Sequence, residues 1–145
     1  MLLDLSTDVV SAHLLICENA LQDTTGALSL IRMLDVFSNN KPITEPVEIQ
    51  MCLVALVKFD GTKLARDHSG FITLINAKGE SGQVVSDIMF RSSEARAAIS
   101  GAPYGFSVIA RLKILADRVG LYQFELWVDG QLITRERFVL AVNAL

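Results

Sequence analysis

The chain has 145 residues, of which 51% are hydrophobic and 20% are charged, with a formal net charge of −3 and a mean hydropathy of +0.41. This composition supports one folded domain with a sizeable core and excludes intrinsic disorder. The 13 basic residues are scattered along the chain, which is not the concentrated positive charge of a dedicated DNA- or RNA-binding protein, so we expect no nucleic-acid partner.

The sequence also argues against export and membrane insertion. No Lys or Arg precedes Arg32, whereas a secretory signal begins with a positively charged segment. Apolar runs such as residues 52–57 are far shorter than the ~20 residues that a membrane helix needs. We therefore expect a soluble cytoplasmic protein with no membrane partner, in which Cys17 and Cys52, each within an apolar strand, are free buried thiols.

The first half of the chain alternates apolar and polar residues with the period of two that is typical of strands with one buried face. Residues 12–21 and 27–37 are predicted to form a hairpin about a turn at residues 23–26. Residues 38–46 contain two prolines and are predicted to form a loop. Residues 47–59 are apolar on both parities near their middle, so we expect a central strand that is covered on both faces.

The second half continues the strand pattern with one interruption. Residues 70–76 and 83–91 are predicted to be strands joined by a tight turn. Residues 92–101 are the one helical candidate, with Ser93 as its N-cap and several alanines in its interior. Strict alternation over residues 104–114 then predicts another strand.

A closing β-hairpin is predicted over residues 120–142, with its reversal at Asp129-Gly130. Gly adopts positive φ without steric cost, and Asp tolerates turn geometry. Large apolar residues share one parity before the turn and are assigned to the core: Tyr122, Phe124, Leu126 and Val128. The chain as a whole is predicted to be a single all-β domain over residues 1–145, an antiparallel β-sandwich of about eight strands with at most one short helix.

The register of this hairpin depends on the length of its loop. A two-residue loop would place Arg135 and Arg137 on the buried face, where unpaired charge is costly. A three-residue loop at residues 128–130 instead turns the opposite parity inward: Leu132, Thr134, Glu136 and Phe138. We prefer the three-residue loop, which requires Glu136 to lie at the rim of the core or to find a partner.

Three segments, spread over most of the length of the chain, carry a resemblance: residues 13–20 in the opening hairpin, the Pro-containing loop that leads into the strand at residue 47, and residues 120–130. Together they resemble a bacterial family of small β-sandwich proteins known as a domain of unknown function. Arg32 departs from that pattern, since a small residue such as Gly is expected there. The resemblance implies the fold and implies no activity, so it assigns no catalytic residue.

Residue types that serve in catalysis or metal binding lack the spacing that such sites need. His13 and His68 are the only histidines, and neither has Cys or carboxylate neighbours in metal-binding spacing. Residues 67–69 read Asp-His-Ser, but adjacent residues cannot reach the geometry of a catalytic triad, so we interpret them as a polar turn. Residues 78–82 lack the Lys-Ser or Lys-Thr of a phosphate loop. We therefore expect no enzyme activity, no metal site and no cofactor.

Trp127 is the residue that most favours a binding function. In the preferred register it lies on the outward face together with Arg135 and Arg137, and an exposed Trp beside Arg is typical of protein interfaces and sugar-binding platforms. The alternative is that another segment, such as the candidate helix at residues 92–101, covers it. We predict these three residues as the binding site.

High apolar content, low charge and missing catalytic groups favour a non-enzymatic interaction module. Such a domain would pair with itself as a homo-oligomer, or with another protein, through a sheet edge or the face that carries Trp127. The alternative is a small-ligand or carbohydrate-binding sandwich that uses Trp127 with Arg135 and Arg137. The predicted fold does not choose between the two, because sandwiches host unrelated functions.

Overall fold

A computed structural model describes residues 8–80, 83–94 and 101–142. Within these ranges the chain forms nine strands and one 3₁₀ turn, and it is therefore all-β, as predicted. The elements are β1 (Val9–Gln22), β2 (Leu28–Met33), β3 (Val36–Asn39), β4 (Val47–Phe59), β5 (His68–Ile75), β6 (Gln83–Phe90), a 3₁₀ turn (Ser92–Glu94), β7 (Tyr104–Ala116), β8 (Gly120–Val128) and β9 (Gln131–Val142). None of the elements in the described ranges is a helix long and apolar enough to cross a membrane.

The strands form two sheets that pack against one core. Sheet A has the order β2-β1-β4-β7 and is antiparallel throughout. Sheet B has the order β3-β9-β8-β5-β6, in which β3 runs parallel to β9 and the other neighbours are antiparallel. The prediction of a purely antiparallel arrangement is wrong for that one pair.

The strand predicted at residues 27–37 is divided between the two sheets. Arg32 has a φ of 52°, in the left-handed region that residues other than Gly, Asn and Asp seldom adopt. The Leu34 amide still donates to a β1 carbonyl at 3.0 Å, whereas the Asp35 carbonyl accepts from a β9 amide at 2.8 Å. The chain therefore crosses from sheet A to sheet B between these two residues, and β3 becomes the parallel edge strand of sheet B.

The core lies between the inward faces of the two sheets and is rich in aromatic side chains. Its fully buried aromatic residues are Phe59, Phe90, Tyr122, Phe124 and Phe138. On its other face, β4 buries Cys52 and Val54 in a smaller apolar cluster with Cys17 and Ala20. The prediction that the strand at residues 47–59 is covered on both faces is confirmed.

The two cysteines are opposite each other on neighbouring strands. Cys17 of β1 pairs in register with Cys52 of β4, and both are buried and unbridged. Burial raises the pKa of the Cys17 thiol, and the nearby Cys52 adds to that increase. A buried thiol with a raised pKa is a poor nucleophile, so Cys17 acts as a small core residue. Cys52 is buried beside it in the same apolar cluster.

The candidate helix at residues 92–101 falls only in part within the described residues. Ser92–Glu94 form a 3₁₀ turn, and residues 95–100 lie outside the described ranges. The turn is anchored where the Ser92 amide donates to Asp67 Oδ1 at 2.8 Å. Two predictions depend on residues 95–100, which lie outside the described ranges: that Ser93 caps a helix, and the alternative in which this helix covers Trp127.

The closing hairpin reverses through two residues, so the predicted three-residue loop is wrong. Asp129 and Gly130 have φ values of 50° and 81°, as in the type I′ turns that suit two-residue hairpins. A β-bulge close to the turn then restores the predicted parity from Thr134 onward, so that Phe124 pairs with Glu136 and the arginines face outward. The prediction that Leu132 faces inward is wrong, because it lies before the bulge and pairs with the outward-facing Trp127. Glu136 is half-buried and lines a 290 Å³ cavity, which agrees with the rim position that this parity requires.

Candidate functional site

Trp127 lies on the outer face of sheet B, where it stacks against Phe71. The two residues are direct partners in the β5–β8 pairing, and their ring centroids are 6.0 Å apart with planes inclined by 10°. Both side chains are half-buried. Each ring therefore covers part of the other and leaves the remainder open to solvent.

The indole N–H of Trp127 is an unusual feature of this face. Its Nε1 atom is buried and finds no hydrogen-bond acceptor among the described residues. Leaving a buried donor unpaired costs about 1–3 kcal/mol, and such groups are few in folded proteins. The position of Trp127 is therefore held by its ring contacts rather than by its polar atom.

Polar side chains form a ladder beside the aromatic pair. Glu125 is only 9% exposed and forms an ion pair with Arg135 Nε at 3.4 Å, while Thr73 Oγ1 donates to it at 3.5 Å. Gln123 donates to Glu125 at 3.4 Å and accepts from Arg137 Nε at 3.0 Å. The ladder thus supplies several donors to one buried carboxylate.

The structure brings all three predicted site residues to one face but gives the arginines a different role. Arg135 and Arg137 lie directly opposite β8 residues, and each directs its Nε to a β8 side chain rather than to the indole. Trp127 instead has Phe71 as its neighbour. The arginines continue the polar ladder away from the aromatic pair.

The two β5 residues of this site were not identified from the sequence, because their position depends on long-range strand pairing. Phe71 and Thr73 are placed here by the β5–β8 register, and Thr73 is 52 residues from its partner Glu125 in sequence. The alternation of β8 predicts that Glu125 faces outward. The alternation cannot show that Thr73 of β5 lies opposite Glu125. No local signal in the sequence could have found this cluster.

Exposed apolar groups and an open groove border the aromatic pair. On the β6 side, Val84 and Met89 are 50% and 55% exposed on the same face as Phe71. On the β9 side, Trp127 forms part of a groove of about 640 Å³ whose other walls are residues 130–133 and 9–12. The outer face of sheet B therefore offers both an apolar patch and a concave margin.

A second polar cluster closes one end of the two sheets. His68 is fully buried at the start of β5 and donates from Nδ1 to Asp129 Oδ2 at 2.6 Å, while its Nε2 lies 4.0 Å from Asp8 Oδ2. Lys63 and Arg66 reach Asp8 at 3.0 and 3.3 Å. The hydrogen bond from Lys63 is the main cause that holds the pKa of Asp8 below its ordinary value, with Arg66 adding to it against the opposing effect of burial.

This cluster corrects the interpretation of residues 67–69 as a polar turn. His68 begins a strand and packs in the core, where its ring stacks on Phe59 with centroids 4.0 Å apart. Its carboxylate partner is Asp129, and the adjacent Asp67 instead accepts from Ser92. In the described part of the chain, no group of three His, Cys, Asp or Glu side chains is placed to hold a metal ion. The ion pairs and hydrogen bonds of this cluster attach the neighbouring loops to the end of the core.

No protein-family model and no curated protein matches this sequence. Among the solved structures that match is Pseudomonas fluorescens alkylpurine DNA glycosylase AlkC bound to DNA containing an abasic site analogue, at 12% identity and a TM-score of 0.43. The match covers 88% of this chain and 30% of the glycosylase chain. A likeness of this size identifies neither a family nor a function.

The same comparison corrects one expectation. Because the matched protein was solved with DNA, our statement that nucleic acid is not a partner is wrong as an exclusion.

Proposed function

We propose that this chain is a non-enzymatic protein-interaction domain that self-associates through the outer face of sheet B around Trp127. The observation that carries the proposal is the partly exposed, stacked pair of Phe71 and Trp127, bordered by exposed Val84 and Met89. Aromatic and Met side chains are enriched at the centres of protein interfaces. Covering this patch with a second protein surface would remove further apolar area from water and so favour association.

The charges beside the aromatic pair support the same function. Burial of an unpaired charge opposes association, but Glu125 already has Arg135 as its ion-pair partner and Thr73 as a donor. A partner that covers this face therefore meets a carboxylate whose charge is compensated within the domain. The polar ladder is suited to be the rim of an interface whose centre is the aromatic pair.

We also propose that the domain is a β-sandwich and that it is cytoplasmic. Two sheets on one core support a β-sandwich with one parallel strand pair, similar to the bacterial family of small β-sandwich proteins. The facing thiols of Cys17 and Cys52 are reduced, which accords with a cytoplasmic protein.

The fluorescence of Trp127 provides a direct test, because it is the only tryptophan in the chain. As the protein concentration is raised, we expect sedimentation velocity to show association, with a blue shift of the emission and weaker quenching by iodide. Trp127→Ala should weaken the association measured by sedimentation. Leu21→Ala, which truncates a 52% exposed side chain on β1 of sheet A, is the matched control and should have no effect.

Two results would contradict the proposal. The first is a protein that remains monomeric at every concentration. The second is association that leaves the emission and the iodide quenching of Trp127 unchanged, since the aromatic face would then stay open to solvent in the assembled state.

The second candidate function is small-ligand or carbohydrate binding in the groove beside Trp127. Its supporting observation is the 640 Å³ groove, which joins an aromatic ring to the exposed margin of β9. A ligand that binds only the folded state raises the melting temperature by mass action. Thermal-shift measurements with glucose, galactose, mannose, phosphate and sulfate test it, and a shift that Trp127→Ala abolishes would favour this function over self-association.

A further inference from the structure

The outer edge of β7 is a long strand edge that has no hydrogen-bonded neighbour in the described ranges, although β6 of sheet B contacts β7. All 13 residues of Tyr104–Ala116 pair with β4 on one side. Within the described ranges no strand pairs with the other side, since β7 is the last strand of sheet A. Such an edge carries a row of backbone N–H and C=O groups that can bind another strand.

The other edge strands are shorter or irregular, whereas β7 is neither. β2 has six residues and contains the left-handed Arg32, and β3 has four. β6 has eight, and its pairing with β5 contains a register irregularity. β7 has no proline and pairs with β4 without a break in register, so it lacks the bulges and prolines that protect edges from pairing.

We infer that β7 pairs antiparallel with β7 of a second copy of this chain, about a two-fold axis at Ala110. Side chains of the same face must be opposite each other, so only alternate registers are allowed. The outward face carries Arg111 and Lys113, and an axis at residue 111, 112 or 113 would place like charges directly opposite, which is unfavourable. An axis at Ala110 avoids this and also pairs all 13 residues of the strand.

In this register the outward side chains are compatible. Arg111 lies opposite Ile109, and Lys113 lies opposite Ser107. The Arg111 guanidinium is already directed away from the edge, because its Nη2 donates to the Ala20 carbonyl at 2.9 Å, on the far side of β4. The positive charge that could oppose strand pairing is therefore held over the sheet.

The inward side chains are also complementary. The register pairs large residues with smaller apolar ones: Tyr104 with Ala116, Phe106 with Ile114, and Val108 with Leu112. Phe106 and Val108 pack on the core but remain half-buried at this edge. A second β7 would cover them and extend sheet A into a continuous eight-stranded sheet across the dimer.

This dimer goes beyond the proposed function and is independent of it. The aromatic face belongs to sheet B, whereas β7 is the edge of sheet A. The two surfaces do not overlap, so either can be used without the other.

A charge placed at Ser107 tests the register. Ser107 is exposed and would face Lys113 of the partner subunit twice in each dimer. Ser107→Glu should therefore strengthen dimerisation and Ser107→Lys should weaken it, each by about 2- to 30-fold in the dimer dissociation constant from two cross-strand contacts. Ser29→Glu and Ser29→Lys place the same charges at an exposed position on β2, the opposite edge of sheet A, and should leave the constant unchanged.

Sedimentation velocity on the full chain decides among the outcomes. Opposite shifts at Ser107 with none at Ser29 support the β7 dimer. A monomeric wild-type protein, equal shifts at both positions, or a dimer that is insensitive to Ser107 would overturn it. A dimer that is insensitive to Ser107 but lost in Trp127→Ala would overturn this inference and leave the proposed function standing.

Discussion

His68 and Asp129 are 61 residues apart in sequence, yet His68 Nδ1 donates to Asp129 Oδ2 at 2.6 Å. The contact joins the start of β5 to the β8–β9 turn, and the Asp129 amide also donates to the Ser69 carbonyl at 2.9 Å. Because the His68 side chain is completely buried, its ring nitrogen has no access to water as a replacement partner. Asp129 therefore has two roles here: its carboxylate pairs with a core histidine, and its backbone amide fixes the turn.

The roles of Asp129 can be separated by two substitutions. Asp129→Gly is compatible with the φ of 50° but leaves the buried His68 nitrogen unpaired, so we expect a loss of about 1–3 kcal/mol in the free energy of unfolding. Asp129→Ala adds the cost of a left-handed backbone, about 1–2 kcal/mol more. Urea denaturation measures both values.

Asp129→Asn is the control for that pair. Asn tolerates the left-handed region and keeps an acceptor oxygen, so it should be the least damaging of the three. A Gly variant as stable as the wild type would show that the contact with His68 contributes nothing to the fold.

Acid is expected to weaken the fold in part through Asp8. The hydrogen bond from Lys63, with a smaller contribution from Arg66, lowers the pKa of Asp8 below its ordinary value of 3.8. A lowered pKa in the folded state contributes stability above the unfolded pKa, and that stability is lost as the pH falls through the folded pKa. Between about pH 5 and pH 2 the free energy of unfolding should therefore fall more steeply in the wild type than in Asp8→Asn.

The comparison with Asp8→Asn isolates this one group. Hydrogen bonds within turns and loops also lower the pKa values of Asp23, Asp60 and Asp67, but these residues titrate in both proteins and cancel in the difference. Parallel curves of unfolding free energy against pH for the two proteins would contradict the assigned role of Asp8.

The period-two alternation predicted the strands well, because a strand with one buried face alternates apolar and polar residues. The strand at residues 47–59 has the predicted bounds, and its two covered faces follow from two apolar parities. The parity of the closing hairpin was also correct from Thr134 onward, since it follows from keeping Arg135 and Arg137 out of the core. Its loop length was wrong, because a two-residue turn with a nearby bulge gives the same facing as a three-residue loop.

Features that depend on distant pairing could not be predicted. Apolar alternation continues through residues 27–37, and only the left-handed Arg32 and the crossing that follows divide that stretch between two sheets. The contact of His68 with Asp129 and the stack of Phe71 on Trp127 both depend on which strands become neighbours. Period-two patterns state which face is buried but not which strand lies alongside.

We expect both cysteines to be free thiols. Thiol titration of the denatured, unreduced protein should give two thiols per chain, and the native protein should react far more slowly, because Cys17 and Cys52 are buried and burial raises the pKa of Cys17. Denatured protein without titratable thiols would contradict this prediction and would indicate that the facing residues had been oxidised to a disulfide.

Phe124→Ala is expected to lower the free energy of unfolding by about 3–5 kcal/mol. The ring is fully buried and stacks on Phe138 with centroids 5.5 Å apart. The matched variant, Gln123→Ala, changes the preceding residue on the outer face. It removes one donor from Glu125, which keeps Arg135 and Thr73 as partners, so it should cost about 1 kcal/mol or less. Similar losses for the two variants in urea would mean that the inward and outward faces of β8 are assigned wrongly.

Trp127 and Phe71 are expected to stabilise the domain as a pair. Because both rings are partly exposed, Trp127→Ala should cost about 1–2 kcal/mol, below the range of 3–5 kcal/mol for a fully buried aromatic residue. A double-mutant cycle with Phe71→Ala should give a coupling energy of about 0.5–1.5 kcal/mol, as for other stacked aromatic pairs. All three variants should remain folded at room temperature, which is what allows their association to be measured. If Trp127→Ala instead lost 3–5 kcal/mol without changing the oligomeric state, Trp127 would be a core residue and this face would not be an interface.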